Sequence, residues 1–256
     1  MILINNVKLS LDTDFENLKS AVEKTLNIKT ENVYLYRKSV DARRKDNVHF
    51  CCSVLAECKN EQALLKKLKN ANTYINKEYE WKKAENTPQN SPVVVGFGPC
   101  GMFCALALAR AGLKPIVIER GKDADSRQKD VNEFLSGGKL NPESNVQFGE
   151  GGAGTFSDGK LNSGIKDPRC RAVLKEFVSH GAQPKILTDA KPHIGTDILV
   201  DVVKNIRKEI ILLGGTVLFE TKLEKINTYN NRVSSIIASG KEIICDKVIL
   251  ATGHSA

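Results

Sequence analysis

Three observations predict an α/β fold in two parts, a small α+β unit followed by a unit built on parallel strands. Residues 93–119 run as a β-branched strand, a glycine-rich turn, an apolar helix and a second strand. Residues 1–85 carry strand and helix patterns in alternation, and a polar segment bearing Pro88 and Pro92 lies between the two. Strand patterns alternating with helices are the signature of such folds.

In the front part, residues 2–11 read as a strand, 15–26 as an amphipathic helix, 32–40 and 48–57 as two strands, and 61–68 as a second helix. That order fits a ferredoxin-like domain over residues 1–85. The segment AENTPQNSP then suits an exposed connection, which places the linker at 86–92 and the second domain at 93–256.

The second domain opens with Val93, Val94 and Val95, a run suited to a buried parallel strand, and the glycines at 96, 98 and 101 turn it into a helix. This is a dinucleotide-binding fingerprint in its structural context. Gly96 permits the tight turn, Gly98 lets the backbone approach a pyrophosphate, and Gly101 lets helix lie on strand. Free N–H groups at the helix start then face the phosphates. Residues 102–111 are almost wholly apolar, so this helix is expected to be covered on both sides, with Gly112 closing it. The second strand ends in Glu119, eighteen residues after Gly101, near the spacing of a carboxylate that accepts both ribose hydroxyls. Arg120 is a candidate for adenine or phosphate contact, or a solvated strand end.

Residues 121–196 are rich in glycine and polar residues and poor in periodicity, which reads as functional loops. Order returns with Thr196 or Asp197 as a helix cap and with Ile198, Val202, Ile206, Ile210 and Leu213 on one face, until Gly214 and Gly215 stop the helix. A β-meander follows: TVLFETKLEKI, RVSSIIA and EIICDKVILATG, joined by turns at NTYNN and SGK.

Composition narrows the function classes. No apolar run reaches the roughly 18 residues of a membrane span, and the N-terminus lacks a basic region followed by a long apolar core. The net charge of +8 is spread among interspersed acids, which makes nucleic acid an unfavoured partner. The basic stretch RKSVDARRK lacks the aromatic pattern of an RNA-recognition motif and reads as a solvated edge or a docking surface. Seven cysteines form no CxxC pair and no metal-ligand spacing, and their odd number argues for a reducing, cytoplasmic compartment.

Two further stretches, FGEGGAGTFSDGKLNSGIKD at 148–167 and KPHIGTD at 191–197, join VVVGFGPCGMF, RKSVDARRKDNVHF and the terminal LATGHSA in a specific resemblance. Together they resemble a bacterial family of FAD-dependent dehydrogenases, also described as NAD(P)/FAD-dependent oxidoreductases. The match covers nearly the whole chain. The resemblance implies a glutathione-reductase-like FAD domain, FAD as cofactor, and hydride or electron transfer through the isoalloxazine ring to or from a small-molecule substrate. NAD(P)H is the implied electron donor, although the chain holds no second GxGxxG. Family members continue past the ATGHS motif with a further domain, so the chain is expected to be the N-terminal part of such an enzyme. A last strand without its neighbours is expected to leave apolar surface exposed.

On this basis Gly96, Gly98, Pro99 and Gly101 are assigned to the pyrophosphate, with Cys100 packed beneath it. Gly151, Gly152, Ala153, Gly154 and Thr155 are assigned to a wall beside the flavin, because glycine-rich backbone approaches a flat ring or an anion without Cβ clashes. Asp158 is a candidate to orient a hydroxyl or donor group. Leu223 is assigned to the adenine through its backbone, and Ala251, Thr252 and Gly253 to a close turn at the cofactor. His193 and His254 stand beside glycine motifs and are able to serve as proton donors near pH 7. No second catalytic group is spaced to support either, so a structural or solvent-facing role is expected for both.

Overall fold

A computed structural model describes residues 1–157, 159–165 and 167–253. The first elements in chain order are β1 (Ile2–Leu9), α1 (Leu18–Leu26), β2 (Asn32–Asp41), β3 (His49–Glu57), α2 (Glu61–Lys67) and β4 (Ala71–Thr73). They are followed by β5 (Val93–Val95), α3 (Pro99–Arg110), β6 (Ile116–Ile118), α4 (Ala124–Leu135), α5 (Pro168–Ser179) and α6 (Thr196–Leu212). Five strands close the chain: β7 (Thr216–Leu218), β8 (Leu223–Tyr229), β9 (Arg232–Ala238), β10 (Lys241–Ile244) and β11 (Val248–Leu250). The chain forms two compact units. One comprises Met1–Tyr79, Lys160–Val178 and Gln183–His193; the other comprises Glu80–Gly159, Ser179–Ala182 and Ile194–Ala256. The first therefore takes in residues well beyond the linker read from the sequence.

The first unit is a βαββαβ arrangement whose sheet has the order β2-β3-β1-β4 with every pairing antiparallel. Its core shows why the strand pattern was readable. Ile2 and Ile4 are buried, then the buried positions change phase to Val7 and Leu9. The phase change falls at a register shift between Ile4 and Val7, where Asn6 takes φ 54° and acts as a bulge. Cys52, Val54 and Ala56 alternate on β3, and Leu18 and Val22 of α1 close the core. The edge of β2 is engaged within the same unit: Lys38 donates its N–H to Thr188 O (2.7 Å) and accepts from Ala190 N (2.8 Å). In the RKSVDARRK stretch Arg43 pairs with Asp41 at 2.6 Å, and Lys38 lies over the rings of Phe15 and Phe50.

The second unit holds a parallel sheet of order β11-β5-β6-β7. On one face Val93, Val95 and Ile118 pack with Ile236, Ala238 and Cys245, so the antiparallel β8-β9-β10 meander covers that face. Helices α3 and α6 pack on each other and against the strands of the sheet. Met102, Ala105, Leu106 and Ala109 supply the buried face of α3, and Leu199, Val202, Val203, Ile206 and Ile210 that of α6.

Several readings need correction. Residues 121–196 are not a run of loops, since α4 and α5 lie within them. Helix α4 escaped notice because its buried positions are Ala124, Arg127 and Val131, with an arginine where an apolar residue would have revealed the period. Helix α6 is capped by Gly195 rather than by Thr196 or Asp197, and Leu213 is exposed rather than part of its buried face. The stretch TVLFETKLEKI is two strands, because Glu220 takes φ 51° and the N–H groups of Glu220 and Thr221 turn back onto Gly121 O and Glu119 O. Likewise β10 and β11 belong to different sheets. Strand β11 lies at the sheet edge with Leu250 59 % exposed. Among the described residues, no helix is long and apolar enough to cross a membrane.

Candidate functional site

Within the second unit, β5 runs into the glycine turn and the turn into α3. Gly96 takes φ +100° and donates its N–H to Ile118 O at 2.8 Å, and a Cβ on it would stand 2.6 Å from Ala251 O. A Cβ on Gly101 would drive into Gly96 O. The protein's own backbone thus demands both glycines. Gly98 is different. Its φ of −72° suits any residue, and a Cβ there would meet only Gly152 Cα, at an ordinary 4.0 Å. Among the described residues no packing requires a glycine at this position, whereas a pyrophosphate approaching the backbone does.

Gly98 caps α3 without a side chain, and Pro99 at the first helical position has no N–H to lose. The first-turn N–H groups of Cys100 and Gly101 have no intrahelical acceptor, and helix geometry aims them outward from the turn. Cys100 is exposed rather than packed beneath the turn.

Glu119 is 5 % exposed at the end of β6. Its Oε2 accepts the Phe97 N–H at 2.7 Å and its Oε1 accepts the Gly121 N–H at 2.8 Å. Each oxygen keeps a lone pair, so the carboxylate can hold the turn and still receive two hydroxyls. Arg120 is half-buried rather than a fully solvated strand end. Its guanidinium pairs with Glu143 at 2.6 Å and lies over the Phe148 ring at 4.1 Å, while Lys222 reaches the same carboxylate at 3.2 Å.

The glycine-rich loop comes to the same turn. Gly151 donates to Phe97 O at 2.9 Å, and a Cβ on Gly152 would stand 3.4 Å from Gly98 Cα, so the two glycine backbones face each other. Ala153 is exposed, and a Cβ on Gly154 would meet only Leu199 Cδ2, at an ordinary 4.0 Å. Thr155 is buried and its hydroxyl is taken: it accepts from Arg127 at 3.1 Å and donates to Gly152 O at 3.1 Å. Ala251 donates to Val95 O at 2.8 Å and lies against Gly96, while Thr252 and Gly253 are exposed, Gly253 at φ +77°. Leu223 begins β8 opposite Ala238, its side chain in the meander core. Asp158 and His254 lie outside the described residues. His193 is exposed in the first unit, its backbone bridged to Lys160.

Two buried charged groups behind the loop were missed. Arg127 and Glu150 are both fully buried. Arg127 donates to Asn145 O (2.7 Å), Val146 O (2.8 Å), Glu150 O (2.7 Å) and the Thr155 hydroxyl, and lies over the Phe156 ring. Glu150 Oε2 accepts the Ala124 N–H at 2.8 Å and meets Arg207 at 3.1 Å, while Oε1 has no hydrogen-bond partner among the described residues. Burial pulls the Arg127 guanidinium down to about 10, against the charges of Glu119 and Glu150, and pushes the Glu150 carboxyl above its usual range. The one sequence signal for them is the cap of α4: Asp123 accepts from Asp125 N and Ser126 N, which places Arg127 on the first turn.

The residues fit a dinucleotide with a ribose diol at one end: an unfilled glycine backbone, a buried carboxylate with free lone pairs, and open first-turn N–H groups. Residues 1–57 match a family described as a domain of unknown function, DUF8436. A protein of Clostridium beijerinckii, described as uncharacterized, is 47 % identical over 261 residues that take in all of this chain and 49 % of that protein. The chain therefore spans about half the length of that relative. Among solved structures, glycine oxidase from Bacillus cereus is similar at 16 % identity and TM-score 0.42, over 64 % of this chain and 55 % of that one. THI4 from Thermovibrio ammonificans is similar at 17 % identity and TM-score 0.40, over 65 % and 58 %. Thioredoxin reductase from Lactococcus lactis follows at 17 % and 0.35, over 63 % and 35 %.

Proposed function

We propose that the second unit binds FAD and that the chain is the N-terminal part of an FAD-dependent oxidoreductase acting on a small-molecule substrate, with NAD(P)H as electron donor. The observation that carries this reading is Gly98, a glycine that no packing among the described residues requires, set opposite Gly152 and next to Phe97, whose N–H the buried Glu119 holds. The strand order β11-β5-β6-β7 with a meander between β7 and β11 supports a glutathione-reductase-like FAD domain. The βαββαβ order of the first unit supports a ferredoxin-like leader. Seven free cysteines favour a cytoplasmic setting.

Bound FAD supplies hydride or electron transfer through its isoalloxazine ring. The chain's residues bind and orient. Gly96, Gly98, Pro99 and Gly101 present backbone to the pyrophosphate, Glu119 accepts the ribose hydroxyls, and the backbones of Gly151, Gly152, Ala153 and Gly154 form the wall beside the ring. Leu223 offers its backbone to the adenine, and Ala251, Thr252 and Gly253 close the turn. Thr155 takes a supporting role through its side chain, because its hydroxyl is held by Arg127 and Gly152, while Arg120, paired with Glu143, keeps donor capacity for the adenine or a phosphate.

The test is an absorbance spectrum of the purified chain before and after adding FAD, with chromatography of whatever denaturation releases. Released FAD, or a shifted flavin spectrum that Glu119→Arg and Gly98→Val abolish, is the expected result. Uptake of NAD in place of FAD would make the unit a simple NAD domain. No flavin uptake, either by this chain or by a form extended to the length of the Clostridium beijerinckii relative, would overturn the reading.

A further inference from the structure

The loop that faces Gly98 has little regular structure of its own. Between Ser144 and Phe156 it contains a single short 3-10 turn at Gly152–Phe156, yet Ser144, Gly149, Glu150, Gly151, Gly152 and Thr155 are buried. Buried carbonyls without a ladder need donors from elsewhere. The loop's own backbone serves Phe148 O and Gly149 O, and one side chain serves several of the rest: Arg127 donates to the carbonyl of buried Glu150 and the hydroxyl of buried Thr155, and also to the carbonyls of half-buried Asn145 and exposed Val146. Its planar fork serves acceptors from both ends of the loop at once.

The loop is shaped to receive that fork. Gly149 takes φ +123°, and a Cβ on it would run into Arg127 Cδ. Glycine here answers to an arginine. A Cβ on Gly121 would stand 2.6 Å from Gly149 Cα, so the strand end bearing Glu119 lies against the same point. The charges of Glu119 and Glu150 both act on Arg127. The glycine loop and the strand end that bears Glu119 thus converge on one buried guanidinium that belongs to neither, and the pyrophosphate turn meets that loop through Gly151 and Gly152.

We propose that Arg127 is a positioning residue for cofactor binding: its guanidinium holds residues 145–155 in the one conformation in which the Gly151–Gly154 backbone can wall the site opened by Gly98. The proposal rests on the FAD reading above. It requires that cofactor affinity and loop order fall together when the fork is lost, although Arg127 itself is covered by protein.

The experiment compares the full chain with Arg127→Lys, Arg127→Ala and, as a surface control on the same helix, Lys129→Met. Lysine keeps the charge but has a single point donor group, and it keeps the variant series informative should the alanine chain not fold. FAD titration by flavin fluorescence, the visible circular dichroism of bound flavin and amide hydrogen exchange over residues 145–155 are read on each chain. The expected result is a roughly 10- to 100-fold rise in the FAD dissociation constant for Arg127→Lys, the scale seen when supports behind a binding group are removed. Faster exchange confined to 145–155, an altered flavin dichroism at saturation and unchanged far-UV dichroism should accompany it, with Lys129→Met like the parent. Added ethylguanidinium should restore affinity to a folded Arg127→Ala chain. Binding by the parent with an unchanged constant in Arg127→Lys, or loosened exchange without loss of affinity, would overturn the proposal and leave the FAD reading standing. Uptake by none of the chains, or by an extended form, would overturn the FAD reading and the proposal with it.

Discussion

The glycine turn of residues 96–101 and the glycine loop of residues 144–156 meet at Gly98 and Gly152, but they are built in opposite ways. The turn is made largely by its neighbours in sequence: β5 enters it, α3 leaves it, and Gly101 is fixed by Gly96 O within the turn itself, with Ala251 O at the end of β11 the one remote backbone atom that Gly96 must clear. The loop is made by groups remote from it, Arg127 of α4 and Arg207 of α6, which reach buried oxygens that no local ladder satisfies. Local construction leaves a sequence signature, and remote construction leaves almost none.

The largest test of this contrast is Gly101→Val. Its side chain would be forced into Gly96 O, a backbone atom that cannot yield without moving β5 or α3. A loss of more than about 3 kcal/mol is expected, the upper range for overpacking, read as a lowered urea midpoint. A small loss would mean that the turn is looser than its local construction requires.

Gly149→Ala tests the loop in the same terms. The residue sits at φ +123° with Arg127 where the methyl would go, so backbone strain and displacement of the guanidinium act together. About 2 kcal/mol is expected, with accelerated amide exchange concentrated in residues 145–155. Exchange rising equally in α3 would show that turn and loop form a single cooperative piece.

These cases explain what the sequence could and could not disclose. The strands of the first unit were legible because alternation survives burial on one face, even through the phase change at Asn6. The fingerprint was legible because each glycine sits at a fixed offset from a strand and a helix. Helix α4 was hidden because its inward position 127 carries arginine, and hydrophobic periodicity cannot register a buried cation. The glycines of GEGGAG looked alike in sequence but serve different ends: Gly149 makes room for Arg127, Gly152 faces Gly98, and Gly154 is in no contact tighter than an ordinary one with Leu199. The partners of Arg120 and Thr155, Glu143 and Arg127, are distant in the chain, so sequence leaves Arg120 open between cofactor contact and solvated strand end and reads Thr155 as a cofactor contact.

A smaller effect separates burial from charge pairing behind the loop. Burial raises the Glu150 carboxyl above its ordinary 4.5, more than Ala124 N–H and Arg207 lower it. A carboxyl whose pKa is raised on folding contributes its stability below the unfolded value and loses it as pH rises through the folded value. Glu150→Gln, which keeps an acceptor for Ala124 N–H, should therefore gain on the parent in urea midpoints as pH rises above the ordinary carboxyl value of 4.5. A parent that gains on the variant over that range would mean that the Arg207 pairing outweighs burial.

The smallest expected effect on stability carries the most about function. Gly98→Ala adds a methyl that meets only Gly152 Cα, at van der Waals distance, on a backbone with φ −72° that alanine adopts without strain. Stability should change by less than about 0.5 kcal/mol, or rise slightly as the unfolded chain loses freedom. If the site holds a pyrophosphate, the same methyl stands where the phosphate must approach, and FAD uptake should fall at least tenfold in fluorescence titration. Gly101 and Gly98 would then divide between them what one fingerprint combines, the first needed to fold and the second to bind. Equal losses of stability and uptake at Gly98 would remove that division, because the methyl would then be disturbing the protein's own packing rather than a ligand's approach.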